Sequence, residues 1–486
     1  MLGKDFLFGI SMSGFQFEMG GKAPVDDRSD WSVWVRDPVN LASGTVSGDL
    51  PEHGPDYWDL YSQDHDLMVK LGMNAIRIGV EWSRIFPSST KGVKVKVEKS
   101  GGAILKVEID ENALKEFEKV ANMQAVEHYR KIMKDIKEKG IHLIVDLNHF
   151  TLPLWLHDPL KVRKYGVENV EESGWYSEDS VIEFAKFAAF CAKHFGDLVD
   201  EWSTMNEPQV VSSLGYILVN AGFPPAYPSL EAYVKTMINQ AQAHARAYDV
   251  LKEISKKPVG IIYSFSPAYP ASEDGEHVEM ANYYQNFWFM DMITLGRIGK
   301  LFDGMEEIER EDMKNRVDFI GINYYTRIVV DRGGPLGWKI LGGYGYACPP
   351  YSKSLDGYPT SETGWEIFPR GLYDTIRMLH ERYELDMIVT ENGTADSEDS
   401  LRPFFLIAHI HQVEKALEEG YPVLGYLHWS LIDNYEWAQG FGKRFGLVHV
   451  DYKTLKRTPR PSAYVYSVII KERTTKGMVD AVPYPV

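Results

Sequence analysis

The sequence predicts an α/β chain closed as a (β/α)8 barrel of the TIM type, a single unit over residues 1–486 with loop insertions. Three observations predict it. Eight short apolar runs of strand length alternate with helical stretches along the chain. Polar residues gather at the carboxyl ends of these runs, the end at which a parallel barrel opens its mouth. The glycine-rich phosphate turn that an open doubly wound sheet would more often carry after its first strand is absent.

Phe6–Ile10 reads as the first strand, and Ser13-Gly14-Phe15-Gln16-Phe17-Glu18 places an amide and a carboxylate just past its end. A loop rich in Gly, Asp and Pro follows with Trp31, Trp34 and Trp58. The helical stretch Tyr57–Leu71 then leads into the second strand, Asn74–Arg84. Arg77 lies mid-run there, so it is expected to face the barrel interior and pair with a carboxylate in the Glu391 region. Residues 91–107 alternate Val with Lys and then with Glu, which predicts a hairpin inserted at about 88–110. One long helix, Glu111 to about Lys139, is expected before the third strand, Ile141–Phe150. The helix Val181–Phe195 feeds the fourth, Val199–Asn206. The remaining strands are Val259–Ser264, Val317–Tyr325, Asp386–Thr390 and Val423–Ser430.

Length alone would allow about three domains, but no low-complexity linker, charge run or repeat divides the chain, and 44% hydrophobic residues suffice for one large core. A net charge of −17 and a pI near 5.3 argue against nucleic acid or an anionic membrane as partner, because phosphate binding needs basic surface. Neither a long apolar leader nor a membrane-spanning run is read, which predicts a cytoplasmic chain. The two cysteines, Cys191 and Cys348, lack metal-ligand spacing and fit that compartment. Abundant Glu and Lys with few Cys would suit a thermophile.

The chemistry begins at Ile388-Val389-Thr390-Glu391-Asn392-Gly393, a buried strand that ends in a carboxylate. A charge there is costly unless it is used, though a structural glutamate paired with a buried arginine fits this stretch equally well. A second strand of the same design ends in Thr204-Met205-Asn206-Glu207-Pro208. Two carboxylates at the carboxyl ends of two parallel strands are what a barrel enzyme needs for acid-base and nucleophilic work on one bond. Other motifs carry less. Gly440–Gly446 has the wrong spacing for a dinucleotide site, and Asn392-Gly393-Thr394 is a glycosylation sequon placed at a barrel mouth. His409 and His411 lie in one helical run, Phe404–Glu418, and cannot share a face, so no metal is expected.

The strings Thr204–Pro208 and Val389–Gly393 resemble the acid/base and nucleophile motifs of family 1 glycoside hydrolases, and the likeness runs from Phe8 to about Pro461. Ser13–Glu18, Leu152–Pro159 and Trp429–Gly446 bring it nearest to the archaeal, hyperthermophilic β-glycosidases. The resemblance implies roles residue by residue. Glu207 matches the acid/base, which needs a raised pKa. Glu391 matches the nucleophile, which Arg77 would keep ionised. Asn206 matches the residue that holds the sugar 2-hydroxyl, and Tyr324, with Asn323 beside it as a further supporting residue, matches the tyrosine that hydrogen-bonds the nucleophile. Gln16, His149, Glu436 and Trp437 match the groups that grip the other hydroxyls, with Trp429 as platform and Trp365 toward the aglycone.

Two positions set this chain apart within the resemblance. His149-Phe150 stands where most of the family has His-Trp, a pairing shared with a branch that resembles β-mannosidases, so the sugar epimer stays open. In the phospho-sugar branch a serine, a lysine and a tyrosine hold phosphate. Here Glu436 takes the serine position, Phe445 the tyrosine position, and only Lys443 matches. A carboxylate repels phosphate, so a neutral sugar or oligosaccharide is expected. The resemblance therefore implies a retaining exo-β-glycosidase for terminal β-glucosides or β-galactosides, with β-mannosides as the alternative. Its two carboxyl groups should lie about 5–5.5 Å apart, without a cofactor, in a homo-oligomer, dimer or tetramer. A transglycosidase using the same residues and a non-catalytic carbohydrate-binding barrel are the rival readings. The second usually lacks one of the two glutamates that are present here.

Overall fold

The computed structural model describes residues 2–273 and 275–486. Its barrel strands are β1 (Leu7–Ser11), β2 (Ala75–Gly79), β3 (His142–Asp146), β4 (Glu201–Asn206), β5 (Val259–Phe265), β6 (Phe319–Tyr324), β7 (Asp386–Glu391) and β8 (Val423–Trp429). They close in chain order, with β1 against β8 and every ladder parallel. The fold is thus the (β/α)8 barrel that the sequence predicts. β2 and β3 end sooner than their apolar runs, since their shared ladder stops at Gly79 and Asp146; Trp82–Ile85 is a helical turn and Leu147–Phe150 is loop.

Alternation along the strands gives the barrel two surfaces. Ala75, Ile144, Phe319, Ile388 and Leu427, with Leu7, form an apolar floor inside it. Gly9 of β1 is part of this packing, for a Cβ there would stand 1.8 Å from the Ala75 carbonyl oxygen. Two residues further along β2 and β3, and four further along β6, the interior turns polar, with Arg77, Asp146 and Asn323 all fully buried. The intervening residues, such as Ile76, Ile78, Leu143, Val145, Ile320 and Ile322, face out and merge with the helices into the main core.

Two ladders slip just below the mouth. Between β4 and β5 the pairing runs Ser203 with Gly260, then Asn206 with Ile262. Between β6 and β7 it runs Ile322 with Val389, then Asn323 with Glu391. In both cases the strand that leads into Glu207 or Glu391 carries one residue more than its partner. A bulge bends its strand and re-aims the side chains beyond it, so Asn206-Glu207 and Glu391 turn into the mouth instead of continuing the alternation.

The expected long helix is two helices, Glu111–Val120 and Met123–Glu138. Ala121 is extended, and the Asn122 side chain caps the second helix by accepting from Ala125 N at 3.2 Å. Asparagine competes with the helical backbone for hydrogen bonds and favours a cap over a helix interior. Lys96–Ser100 and Ala103–Glu108 pair as an antiparallel hairpin. Trp31 and Trp34 sit in a short helix, Asp30–Trp34, capped by Ser29, rather than in loop. Among the described residues no helix is long and apolar enough to cross a membrane.

Candidate active site

Arg77 organises the mouth of the barrel. Its guanidinium forms an ion pair with Glu391 through Nη2 and donates from Nη1 to Asn206 Oδ1 at 2.9 Å. Tyr325 Oη donates to the other Glu391 oxygen at 2.6 Å. Asn323 Nδ2 donates both to Glu207 Oε1 at 2.7 Å and to Asn206 Oδ1 at 3.0 Å, while its Oδ1 accepts from Thr390 Oγ1 at 2.8 Å. One network, Glu391–Arg77–Asn206–Asn323–Glu207, thus fixes both carboxyl groups from four strand ends. Side-chain networks of this kind rigidify a site when every member is bonded.

The two glutamates have different surroundings. Glu391 has the arginine, whereas among the described residues Glu207 has only the neutral Asn323 amide as hydrogen-bond donor. Burial pushes the Glu207 carboxyl up to about 8, with the Glu391 charge adding to the rise and Asn323 and Arg77 opposing it. Its backbone is left-handed at φ +50°, as are those of Phe150 at +74° and Trp437 at +47°, whose rings meet at 4.9 Å. Each such residue costs about 1–3 kcal/mol and persists where its surroundings hold it. Glu207 is held by its N–H, which donates to Ile262 O at 2.8 Å, and by Pro208, which opens the helix Pro208–Tyr216.

Aromatic rings and polar ends line the pocket around these carboxyls. Trp429 stacks with His149 at 5.8 Å and lies 5.8 Å from the Arg77 guanidinium. Burial and the Arg77 charge hold the His149 imidazole well below its ordinary range, so it is neutral. Trp437 stacks flat on Phe15 at 5.8 Å and meets Phe150 at 4.9 Å. Gln16 is pinned by Ser13 Oγ, which donates to its Oε1 at 2.8 Å, and by its own Nε2, which donates to Asn434 Oδ1 and Tyr435 O. Glu436 is half-buried, and its Oε2 accepts no hydrogen bond among the described residues. No described group of three or more His, Cys, Asp or Glu residues is arranged to hold a metal ion.

Residues 1–110 and 116–475 match the profile of glycosyl hydrolase family 1. This chain belongs to glycosyl hydrolase family 1. It is 50% identical over 476 residues to a β-galactosidase of Saccharolobus solfataricus, covering 98% of this chain and 95% of that relative. It is 30% identical over 494 residues to β-glucosidase A of Thermotoga maritima, covering 96% and 97%. Among solved structures, the β-glycosidase from the hyperthermophile Thermosphaera aggregans matches with a TM-score of 0.95 at 48% identity over the whole of both chains. A β-glucosidase mutant derived from a hyperthermophilic tetrameric structure matches with 0.92 at 48% identity, over 99% and 98% of the chains. The resemblance read from the two glutamate motifs is a true relationship, and the chain is a glycoside hydrolase.

One expected position in this family 1 site is corrected. Tyr324, expected to hydrogen-bond Glu391, points out of the barrel, because Phe319, Gly321 and Asn323 occupy the inward places of β6. Its hydroxyl donates to Phe368 O at 2.6 Å and fills the space over Gly371, where a Cβ would stand 2.0 Å from it. Tyr325, the next inward position, reaches Glu391 instead. The period-two pattern of the strand carried that signal. Tyr325→Phe should lower kcat/KM by about 10–150-fold, since a hydrogen bond to a charged group contributes about 1.5–3 kcal/mol. Tyr324→Phe should lower Tm and leave kcat/KM near wild type. Steady-state rates and melting curves of the pair check this.

Outside the glutamates the family 1 site has an aromatic wall. Half-buried Trp365 lies 5.3 Å from Tyr325, 5.3 Å from Tyr346 and 6.1 Å from buried Phe445. Lys443 Nζ is engaged, donating to Glu362 O at 3.0 Å. Glu436 makes a second prediction, of stability. Burial, with the Glu391 charge, pushes its carboxyl from 4.5 up to about 8. Its folded form therefore favours the proton, and stability is lost as pH rises through that window. Glu436→Gln should melt above wild type at about pH 9 and level with it at about pH 4, read by calorimetry.

Proposed function

We propose that the chain is a retaining exo-β-glycosidase that hydrolyses terminal β-linked neutral hexosides, β-glucosides and β-galactosides, through a glycosyl ester of Glu391. The observation that supports this reading most is the network that binds Glu207 and Glu391 together while giving only Glu391 a guanidinium partner. In the first step a Glu391 oxygen attacks the anomeric carbon, the bond to the aglycone oxygen breaks, and the Glu207 proton passes to that oxygen. In the second step Glu207, now a carboxylate, takes a proton from water as the water oxygen attacks the same carbon and Glu391 leaves. Two inversions retain the configuration, and this requires carboxyl groups about 5–5.5 Å apart.

In the same reading Asn206 holds the 2-hydroxyl, Trp429 is the platform under the ring, and Gln16, His149, Glu436 and Trp437 anchor the other hydroxyls. Trp365 faces the aglycone, with buried Phe445 6.1 Å from it. An absent hydroxyl would leave one of these buried groups unpaired, which makes such anchors discriminating. Glu436 and Phe445, standing where the phospho-sugar branch has its phosphate-holding serine and tyrosine, disfavour a phospho-sugar. The relatives named β-galactosidase and β-glucosidase support these two sugars, and the tetrameric origin of one neighbour supports a homo-oligomer. No cofactor enters the reaction.

Rates on aryl β-glucoside, β-galactoside and β-mannoside, with NMR of the sugar first released, test the reading. Release of the β-anomer from the glucoside or galactoside is expected. The α-anomer, or no cleavage by folded protein, would overturn the mechanism, and a mannoside cleaved fastest would overturn the choice of sugar.

A further inference from the structure

Asp146 is a buried carboxylate in the polar layer of the barrel that the two-step reaction leaves unused. It ends β3, faces inward and is fully buried. Its Oδ2 lies 4.0 Å from Arg77 Nη1 and 3.8 Å from His149 Nδ1. Neither of its oxygens has a charged donor at hydrogen-bond distance among the described residues; the hydroxyl of its cross-strand neighbour Ser203 is the neutral donor beside it, shared with Met205 O at 3.4 Å. A buried carboxylate whose bonding is left incomplete costs about 1–3 kcal/mol, and more when charged, so its retention here calls for a reason.

The groups around it are all donors. Asn206 Oδ1 already accepts from Arg77 and Asn323, so the Asn206 amide nitrogen, 3.3 Å from His149 Nε2, donates to that nitrogen. The neutral imidazole then carries its proton on Nδ1. That N–H and the Arg77 Nη1, 3.5 Å apart, both border Asp146. In the resting site the arginine is not available to Asp146, because its charge is matched by Glu391.

That balance changes when Glu391 becomes an ester. The arginine would then be a buried cation whose ion-pair partner has lost its charge, a strongly unfavourable state. Glu207 gains a charge in the same step but is bonded to Asn323, not to Arg77. We propose that Asp146 is a positioning residue that takes over as the counter-ion of Arg77 while Glu391 carries the sugar. The guanidinium needs to move only the last fraction of 4.0 Å to reach hydrogen-bond distance. Burial pushes the Asp146 carboxyl up to about 7, against Arg77 and Ser203, with Glu391 adding to the rise. Above that value it is a carboxylate throughout and no proton moves in the exchange. The inference rests on the glycosyl-ester reading above.

The test is stopped-flow hydrolysis of a dinitrophenyl glycoside, whose easy departure makes ester hydrolysis the slow step, by wild type and Asp146→Asn at about pH 7.5, above the Asp146 value. Because the counter-ion stabilises the ester itself, Asp146→Asn raises that state: the burst is expected to slow by about tenfold, while the steady rate after it stays within about threefold or rises. Equal slowing of both phases, or of neither, would overturn the proposal. In wild type trapped with a 2-deoxy-2-fluoro sugar, Asp146 Oδ2 and Arg77 Nη1 should close to hydrogen-bond distance. A crystal structure that keeps them at 4.0 Å overturns it even if Asp146→Asn fails to fold. Failure of the ester reading itself looks different: wild type would show no burst and trap no sugar.

Discussion

Glu391→Gly is expected to lose about four orders of magnitude or more in kcat, the scale of removing a covalent nucleophile, and to recover turnover in azide. Arg77 and Tyr325 hold the two Glu391 oxygens, so the glycine variant keeps two donors facing a vacated, anion-sized space. Azide bound there attacks the anomeric carbon from the face that Glu391 used. The product is then an α-glycosyl azide, inverted relative to the β-substrate. Loss of the Glu391 charge beside the guanidinium should also cost stability, by less than the about 3–5 kcal/mol of a charge with no partner because Asp146 stands 4.0 Å away, so Tm should fall and rise again with azide. NMR of the product decides. A β-azide, or hydrolysis at the wild-type rate without azide, would remove Glu391 from the role of nucleophile.

What the sequence showed and what it hid divide along a physical line. β5 is buried at every position and β7 at every position after Asp386, so their apolar runs alone mark them as barrel strands. Glu207 and Glu391 were legible for the complementary reason, as charges at the ends of such runs. The bulges that aim them were not, because a register slip between Ser203 and Asn206 depends on a partner strand more than fifty positions away and leaves no local trace. Asn323-Tyr324-Tyr325 offered two tyrosines, and only the inward phase of β6 selects the second. Asn122 fits a helical period, and its capping role appears only with the turn at Ala121. Asp146 reads in sequence as one more polar strand end. Its lack of a charged partner at hydrogen-bond distance is a property of the packed interior alone.

Glu207→Ala should separate leaving groups that need a proton from those that do not. With a dinitrophenyl aglycone the first step needs little acid help and should stay near wild type, whereas alkyl or sugar aglycones should lose about 10²–10⁴-fold, the usual contribution of a general acid. Ester hydrolysis should also slow, since the same group activates the water. Added azide needs no base, attacks the ester of Glu391 from the opposite face and should give the β-glycosyl azide, the mirror outcome to Glu391→Gly. The pH profile supplies the second half of the argument. Glu207 acts in its protonated form, and burial beside Glu391 pushes its carboxyl up to about 8. Wild-type kcat/KM should therefore be full below that value and fall as pH rises through it, while Glu207→Ala on the dinitrophenyl substrate should lack this limb. A basic limb that survives in the variant would assign the titration to another group, with Glu436, also pushed up to about 8, the first to examine.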